Sequence, residues 1–335
     1  MNVSDLGEFG LIARLHDALP TSPSGRLIVG IGDDAAVWRH DAGCSIATTD
    51  TMVAGVHFLP GDVLWEDVGW KALAVNVSDI AAMGGTPAFA LVTLCLPPET
   101  PVDALDALYA GLRACAEAYG VTIAGGDIVS APVFAITIAL TGAAALDADG
   151  QPLLLRRDAA KSGDVVAVTG ALGGSAGGLR ALTDGVPLTE TRRRLIVRHM
   201  RPQPPVDAGR AAIEAGIRCA IDISDGLAQD LSRICQASRL AAELHLDGIP
   251  LDADLAAVYA DDAVHMAATG GEDYELLVVG TESAVVCASA ALARPLAIVG
   301  RIFGGEPRVR ALDARGAEVP LASPGWDHLK PGVRT

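Results

Sequence analysis

Helix-spaced and strand-like apolar runs alternate along the chain, the pattern expected of α/β layers. Phe9, Leu11, Ile12 and Leu15 mark an amphipathic first helix, with Asp5 and Glu8 spaced like a capping box. Strand-like runs follow at 27–31 and 44–49. Residues 64–83 read as a longer helix, stopped by Gly84 and Gly85. Residues 87–96 read as a strand, and 101–119 as a helix with Pro101 in its first turn and Gly120 just past its end. The stretch from Ile128 to Leu146 carries no charge and is nearly long enough to cross a membrane. Pro132, Gly142, Thr137 and Thr141 make it a buried strand instead.

A turn at Asp147–Gly150 places a domain boundary near residue 148, giving an N-terminal domain of 1–148 and a C-terminal domain of 149–335. Beyond it, a strand over 164–169 runs into a glycine-rich segment, Gly170 to Gly178, and then a helix. No short-period repeat or low-complexity linker interrupts this order.

Composition narrows the function. Half the residues are apolar and 4% aromatic, an ordinary globular balance. With 41 acidic against 25 basic residues the formal charge is −16, which opposes nucleic acid and anionic membrane as partners and suits a protein that collects cations. Only three lysines occur: Lys71, Lys161 and Lys330. The six cysteines are dispersed, with no C-x-x-C pair, as expected of reduced thiols in the cytoplasm rather than a disulfide framework or zinc site. The first residues lack the basic and apolar stretches of a signal peptide.

Six acidic segments carry the candidate chemistry: Gly32-Asp33-Asp34, Thr48-Thr49-Asp50, Asn76-Val77-Ser78-Asp79, Gly125-Gly126-Asp127, Asp222-Ile223-Ser224-Asp225-Gly226 and Gly270-Gly271-Glu272-Asp273. Taken singly, an Asp after glycines is more often a turn or helix cap than a ligand. Taken together at strand ends, several carboxylates would repel one another unless cations held them. Oxygen donors without a His–Cys set favour magnesium over zinc. Calcium stays open by ligand type, although no EF-hand loop is present. The P-loop pattern is absent, and 170–178 lacks the dinucleotide-binding spacing. That segment would either hold a phosphate at a helix N-terminus or serve close packing.

As a set, the motifs resemble thiamine-monophosphate kinase, a family of the aminoimidazole ribonucleotide synthetase-like superfamily. The resemblance rests on Gly30-Ile-Gly-Asp-Asp-Ala-Ala-Val37, Thr48-Thr-Asp-Thr-Met-Val-Ala-Gly-Val-His-Phe58, Val75-Asn-Val-Ser-Asp-Ile-Ala-Ala-Met-Gly84, Gly125-Gly-Asp127, Asp222-Ile-Ser-Asp-Gly226 and Gly270-Gly-Glu-Asp-Tyr-Glu-Leu276, in order along nearly the whole chain. Selenophosphate synthetase is less similar, since no cysteine precedes Cys44. The hydrogenase-maturation relative ends in a reactive cysteine, whereas this tail ends Pro331-Gly-Val-Arg-Thr335.

The resemblance implies a two-domain α/β (α+β) fold whose N-terminal domain dimerises, with ATP held near that interface. It implies transfer of a phosphoryl group from ATP to thiamine phosphate, assisted by several magnesium ions. Carried over motif by motif, Asp34, Thr48, Thr49, Asp50, Asp79, Asp127, Asp222 and Asp225 would bind magnesium. Tyr109, Gly126, Asp127, Arg157 and Ser224 would contact ATP, and His57, Glu272 and Trp326 the thiamine phosphate. Two alternatives stand beside this reading. One is an ATP-dependent synthetase or dehydratase activating an amide or carbonyl oxygen; the other is a non-catalytic nucleotide-sensing or assembly protein.

Overall fold

The structure, a computed structural model, describes residues 27–29, 33–34, 36–40, 43–59 and 61–321. The expected first helix around Phe9 to Leu15, and Trp326, lie outside the described residues.

The first sheet contains β1 (Leu27–Val29), β2 (Ala36–His40), β3 (Gly43–Val53), β4 (Thr86–Leu96), β5 (Thr122–Ser130) and β6 (Ala135–Ala143), in the order β1-β2-β3-β6-β4-β5. Its neighbours run antiparallel except β4 and β5. Those two are joined through helix α2 (Val102–Tyr119), and such a crossover is what a parallel pair requires. The uncharged stretch after Ile128 is therefore not one strand. It holds the end of β5, a turn at Pro132 and the whole of β6, whose side chains alternate between buried and accessible. Proline has no N–H for a sheet ladder, so the run breaks there.

Helix α1 (Trp65–Ala82) matches the expected 64–83 to within a residue at each end. It crosses the first sheet beside α2, and from Val68 to Ala82 only Trp70 and Asp79 keep partial exposure. A helix apolar on nearly all sides must be covered on all sides. Its C-terminal turn supplies that cover from the other half of the molecule: Ala81 and Ala82 pack with Leu155, Val165, Ala167, Ile213, Ala220 and Leu276.

A two-stranded pair, β7 (Ala145–Leu146) and β8 (Pro152–Leu153), brackets the Asp147 turn. Asp147 Oδ1 accepts the N–H groups of Asp149 and Gln151 there. The second sheet has the order β10-β12-β9-β13-β11-β14, built from β9 (Val165–Val168), β10 (Cys219–Asp222), β11 (Ala241–His245), β12 (Leu276–Gly280), β13 (Ala297–Phe303) and β14 (Arg308–Leu312). Only β11 and β14 pair in parallel. Around this sheet lie α3 (Gly174–Thr183), α4 (Glu190–Met200), α5 (Val206–Glu214), α6 (Leu227–Ser238), α7 (Ala253–Val258), α8 (Ala263–Thr269) and α9 (Glu282–Ala290).

Among the described residues, the first sheet is covered on one face only. β5 is an edge strand exposed along nearly its whole length, and Phe89, Leu91, Ile128 and Val129 are exposed on β4 and β5. Among the described residues no helix is long and apolar enough to cross a membrane.

Candidate functional site

Three carboxylates from distant parts of the chain converge where the two halves meet. Asp34 lies between β1 and β2, Asp79 in the last turn of α1, and Asp222 at the end of β10. One oxygen of each lies within 4.8 Å of the others. Only Asp222 stands at a strand end. Asp79 is helical, while Asp50 and Asp127 fall inside β3 and β5, so the expected row of strand-end acids is not what forms the cluster.

Each member is oriented by a neighbour. Ser78 Oγ donates to Asp222 Oδ2 at 2.9 Å, tying α1 to β10. Thr48 Oγ1 of β3 donates to Asp79 Oδ2. Arg157 ion-pairs with Asp34, and its backbone N–H donates to Asp33 Oδ2 at 3.3 Å. The Arg157 carbonyl accepts from Ser238 Oγ at 2.8 Å, which fixes the arginine to the end of α6.

Burial pushes the Asp79 carboxyl well above the usual range, and the charges of Asp50, Asp222 and Asp34 push it further against the Thr48 hydrogen bond. Burial raises Asp222 likewise, with Asp34 and Asp230 adding to it and Ser78 and Arg157 opposing. Asp33 rises to about 6, from burial and the Asp34 charge, with Arg157 opposing. Two like charges ~4 Å apart repel by roughly 4 kcal/mol at an effective dielectric of about 20. One arginine does not offset three such carboxylates, and the buried Asp34 Oδ2 has no hydrogen-bond partner. A hard divalent cation would satisfy that oxygen and reverse the sign of the repulsion, so an all-oxygen magnesium site fits these residues.

The remaining expected ligands are distributed differently. The charge of Asp50 reaches Asp79, so it borders the cluster. Asp225 ion-pairs with Arg233, which also holds Asp230 at 2.7 Å. Thr49 follows Thr48 in β3 and so projects from the opposite, open face of the sheet. Asp127 stands in register with Thr93, Thr137 and Thr51 across four strands, on that same open face. Gly126 is confined by packing: a Cβ there would sit 1.7 Å from the Val92 carbonyl oxygen. Tyr109 is exposed on α2.

A second polar group borders the first. Glu272 N–H donates to the Ser224 carbonyl at 2.8 Å and Tyr274 N–H to the Ile223 carbonyl at 2.9 Å, so the 270–275 loop is zipped to the 222–226 loop. Glu272 and Tyr274 both hold positive φ, 66° and 51°. Lys71 Nζ, from α1, donates to Glu272 Oε2 at 3.1 Å and lies 3.4 Å from His199 Nε2 on α4. His199 Nδ1 is 2.9 Å from Ser175 Oγ and 3.4 Å from Glu272 Oε2. His57 Nδ1 accepts the Val53 N–H at 3.0 Å, and its charge contributes to lowering Glu272.

The glycine-rich segment serves packing. Asp273 occupies the N-terminus of α3, accepting from Gly173 N–H at 2.7 Å and Ser175 N–H at 3.0 Å. The donors that a phosphate would need are taken by this carboxylate. At Gly178 a Cβ would meet the Leu195 carbonyl oxygen at 2.2 Å, so α3 and α4 approach as only glycine permits.

Sequence reasoning placed Ser78 and Asp273 within the candidate segments without an individual role, and singled out neither Lys71, His199 nor Asp230 for the site. Lys71 and Ser78 are seven residues apart, two helical turns on one face, which is a signal that was available. His199 offered none. Asp230 carries two N–H groups of the ligand-bearing loop, Ser224 and Asp225, each at 3.1 Å.

The comparisons agree with this architecture. Residues 32–144 match the family model described as AIR synthase related protein, N-terminal domain, and residues 161–311 its C-terminal counterpart. The thiamine-monophosphate kinase of Salmonella typhimurium is 39% identical over 332 residues, covering 96% of this chain and 98% of that protein. That of Bacillus subtilis is 36% identical over 339 residues, covering 97% and 100%. Among solved structures, AaThiL complexed with AMPPCP and TMP superposes with a TM-score of 0.84 at 32% identity, over 98% of this chain and 99% of that one. With these matches running through both sheets and the carboxylate cluster between them, the chain belongs to the thiamine-monophosphate kinase family of AIR synthase related proteins.

Proposed function

We propose that this chain transfers the γ-phosphoryl group of ATP in line to thiamine phosphate, releasing ADP and thiamine diphosphate. The observation that carries the reading is the Asp34–Asp79–Asp222 cluster, buried at Asp222 and partly buried at the other two, in a chain of this family. It is supported by the relative AaThiL, which has been solved with AMPPCP and TMP.

The acceptor is a phosphate oxygen already ionised near neutral pH, so no general base is needed. The obstacle is charge, because two polyanions must meet. Asp34, Asp79 and Asp222 would hold magnesium, with Asp50 at their border; the ions supply charge neutralisation between the two phosphate groups. Thr48 and Ser78 keep the carboxylates aimed by hydrogen bonds. Arg157 holds Asp34 in place and adds positive charge beside the polyphosphate. Thr49, Asp127, Gly126 and Tyr109 would act from the sheet and α2, Ser224 and Asp225 from the loop after β10, and Trp326 with His57 and Glu272 at the thiamine.

We further propose a homodimer formed through the open face of the first sheet, where Phe89, Leu91 and Val129 are exposed on an otherwise acidic chain. The chain would divide near residue 148 into the two functional halves. All six cysteines are free, which supports a cytoplasmic location.

The deciding experiment is product analysis after incubation with ATP, magnesium and thiamine phosphate. ADP and thiamine diphosphate should form in equal amounts, and only with all three present. ADP formed with formylglycinamidine ribonucleotide in place of thiamine phosphate would support the synthetase reading instead. Asp222→Asn should lower turnover at least about 100-fold, since it removes a metal ligand without changing volume. Magnesium should raise the melting temperature of the wild type and leave that of the variant unmoved. Equal magnesium shifts in the two proteins would contradict the assignment.

A further inference from the structure

We propose that Lys71 and His199 are positioning residues for the thiamine half of the substrate, holding the Glu272 carboxylate so that its second oxygen is presented to the ligand. This rests on the reading that Glu272 meets thiamine phosphate.

The asymmetry of the pair is the first argument. Lys71 is 1% exposed, whereas the Glu272 side chain is 29% exposed. An ion pair that only stitched α1 to the 270–275 loop would be as well replaced by apolar packing. Here the lysine is sealed inside and the carboxylate reaches outward. Glu272 Oε2 takes the Lys71 donor at 3.1 Å and faces His199 Nδ1 at 3.4 Å. Both named partners fall on this one oxygen, leaving Oε1 as the edge directed to a ligand.

The histidine tautomer follows from its neighbours. An ammonium group has donors only, so Lys71 Nζ beside His199 Nε2 makes that nitrogen the acceptor and leaves the proton on Nδ1. Nδ1–H then faces Glu272 Oε2 and Ser175 Oγ. Burial would raise the Glu272 carboxyl, yet the adjacent Lys71 charge and its hydrogen bond bring it below its ordinary value. The backbone adds a second argument. Glu272 holds φ 66°, a left-handed conformation that a non-glycine residue adopts at a cost and that recurs at ligand-binding positions. The N–H of Glu272 is held by the Ser224 carbonyl, so the loop that carries Glu272 is registered to the loop that carries Asp222. A carboxylate fixed in this way is suited to the cationic ring and amino group of thiamine rather than to a polyphosphate.

The test compares wild type, Lys71→Met, Lys71→Arg, Glu272→Gln and the double variant Lys71→Met/Glu272→Gln. Steady-state constants for each substrate and the melting temperature are measured for each protein. Lys71→Met should raise KM for thiamine phosphate roughly 10-fold or more, the loss expected when a charge-assisted contact is misplaced. KM for ATP should change less than about 2-fold, and Lys71→Arg should recover much of the loss, since it keeps the charge. The double variant should bind thiamine phosphate no worse than Glu272→Gln. It also removes both charges, so it carries the comparison if Lys71→Met alone fails to fold. Additive losses in the double variant, or equal rises in both KM values, would overturn the proposal. Wild-type protein that leaves thiamine phosphate unphosphorylated would instead sink the functional reading on which it rests.

Discussion

A buried imidazole resists taking a proton, and His199 is the case in this molecule. Burial, together with the adjacent Lys71 charge, lowers its pKa from 6.5 to about 4, against the opposing pull of Glu272. It is faced by Lys71 from α1, Glu272 from the 270–275 loop and Ser175 from α3. Below pH 6.5 the unfolded chain binds a proton that the folded chain refuses, so this contribution to stability is lost as pH falls from 6.5 toward 4. The full effect is on the order of 3 kcal/mol. Raised carboxylates such as Asp230, at about 7, act with the opposite sign in an overlapping range. The difference between wild type and His199→Asn in urea unfolding against pH isolates the histidine; parallel curves would show that it has no such role. At this scale the motif carboxylates Asp34, Asp79 and Asp222 were legible in the sequence, since oxygen donors beside glycines carry a chemical signature. His199 was not, because a lone histidine in a basic helix acquires meaning only from what packs on it.

Helix α1 was the most legible element, having a long apolar run with a glycine stop. What it does was not legible: Lys71 and Ser78 reach side chains 201 and 144 residues away. No periodicity encodes such partners. The start of α3 is open to two readings from the sequence, since strand, glycines and helix also describe a phosphate cradle. Asp273 decides the matter by capping the helix with its own carboxylate. Asp273→Ala should therefore cost about 1–3 kcal/mol in urea unfolding, as two N–H groups lose their acceptor. Asp273→Asn, which keeps one carbonyl oxygen, should cost less. An unchanged midpoint for Asp273→Ala would mean that water replaces the cap without penalty.

At the scale of the whole molecule, the described residues leave one face of the first sheet open. Exposed Phe89 and Leu91 stand next to an edge strand, a combination that invites pairing. Leu91→Asp should convert the sedimenting species from two chains to one while leaving the circular dichroism spectrum unchanged; a wild type that already sediments as one chain would remove the dimer. The sequence by itself determined the alternation of strands and helices, though not the break within 128–146, together with the acidic character and the oxygen-rich chemistry, because periodicity, turn residues and composition act locally. It also carried the family, through motifs spread over nearly the whole length. Only the tertiary structure decided which acids share a site. Asp34, Asp79 and Asp222 meet because α1 is buried between the two sheets, whereas Thr49 and Asp127 face the open side through strand alternation. Convergence of residues so far apart depends on packing, and packing is a property of the folded whole.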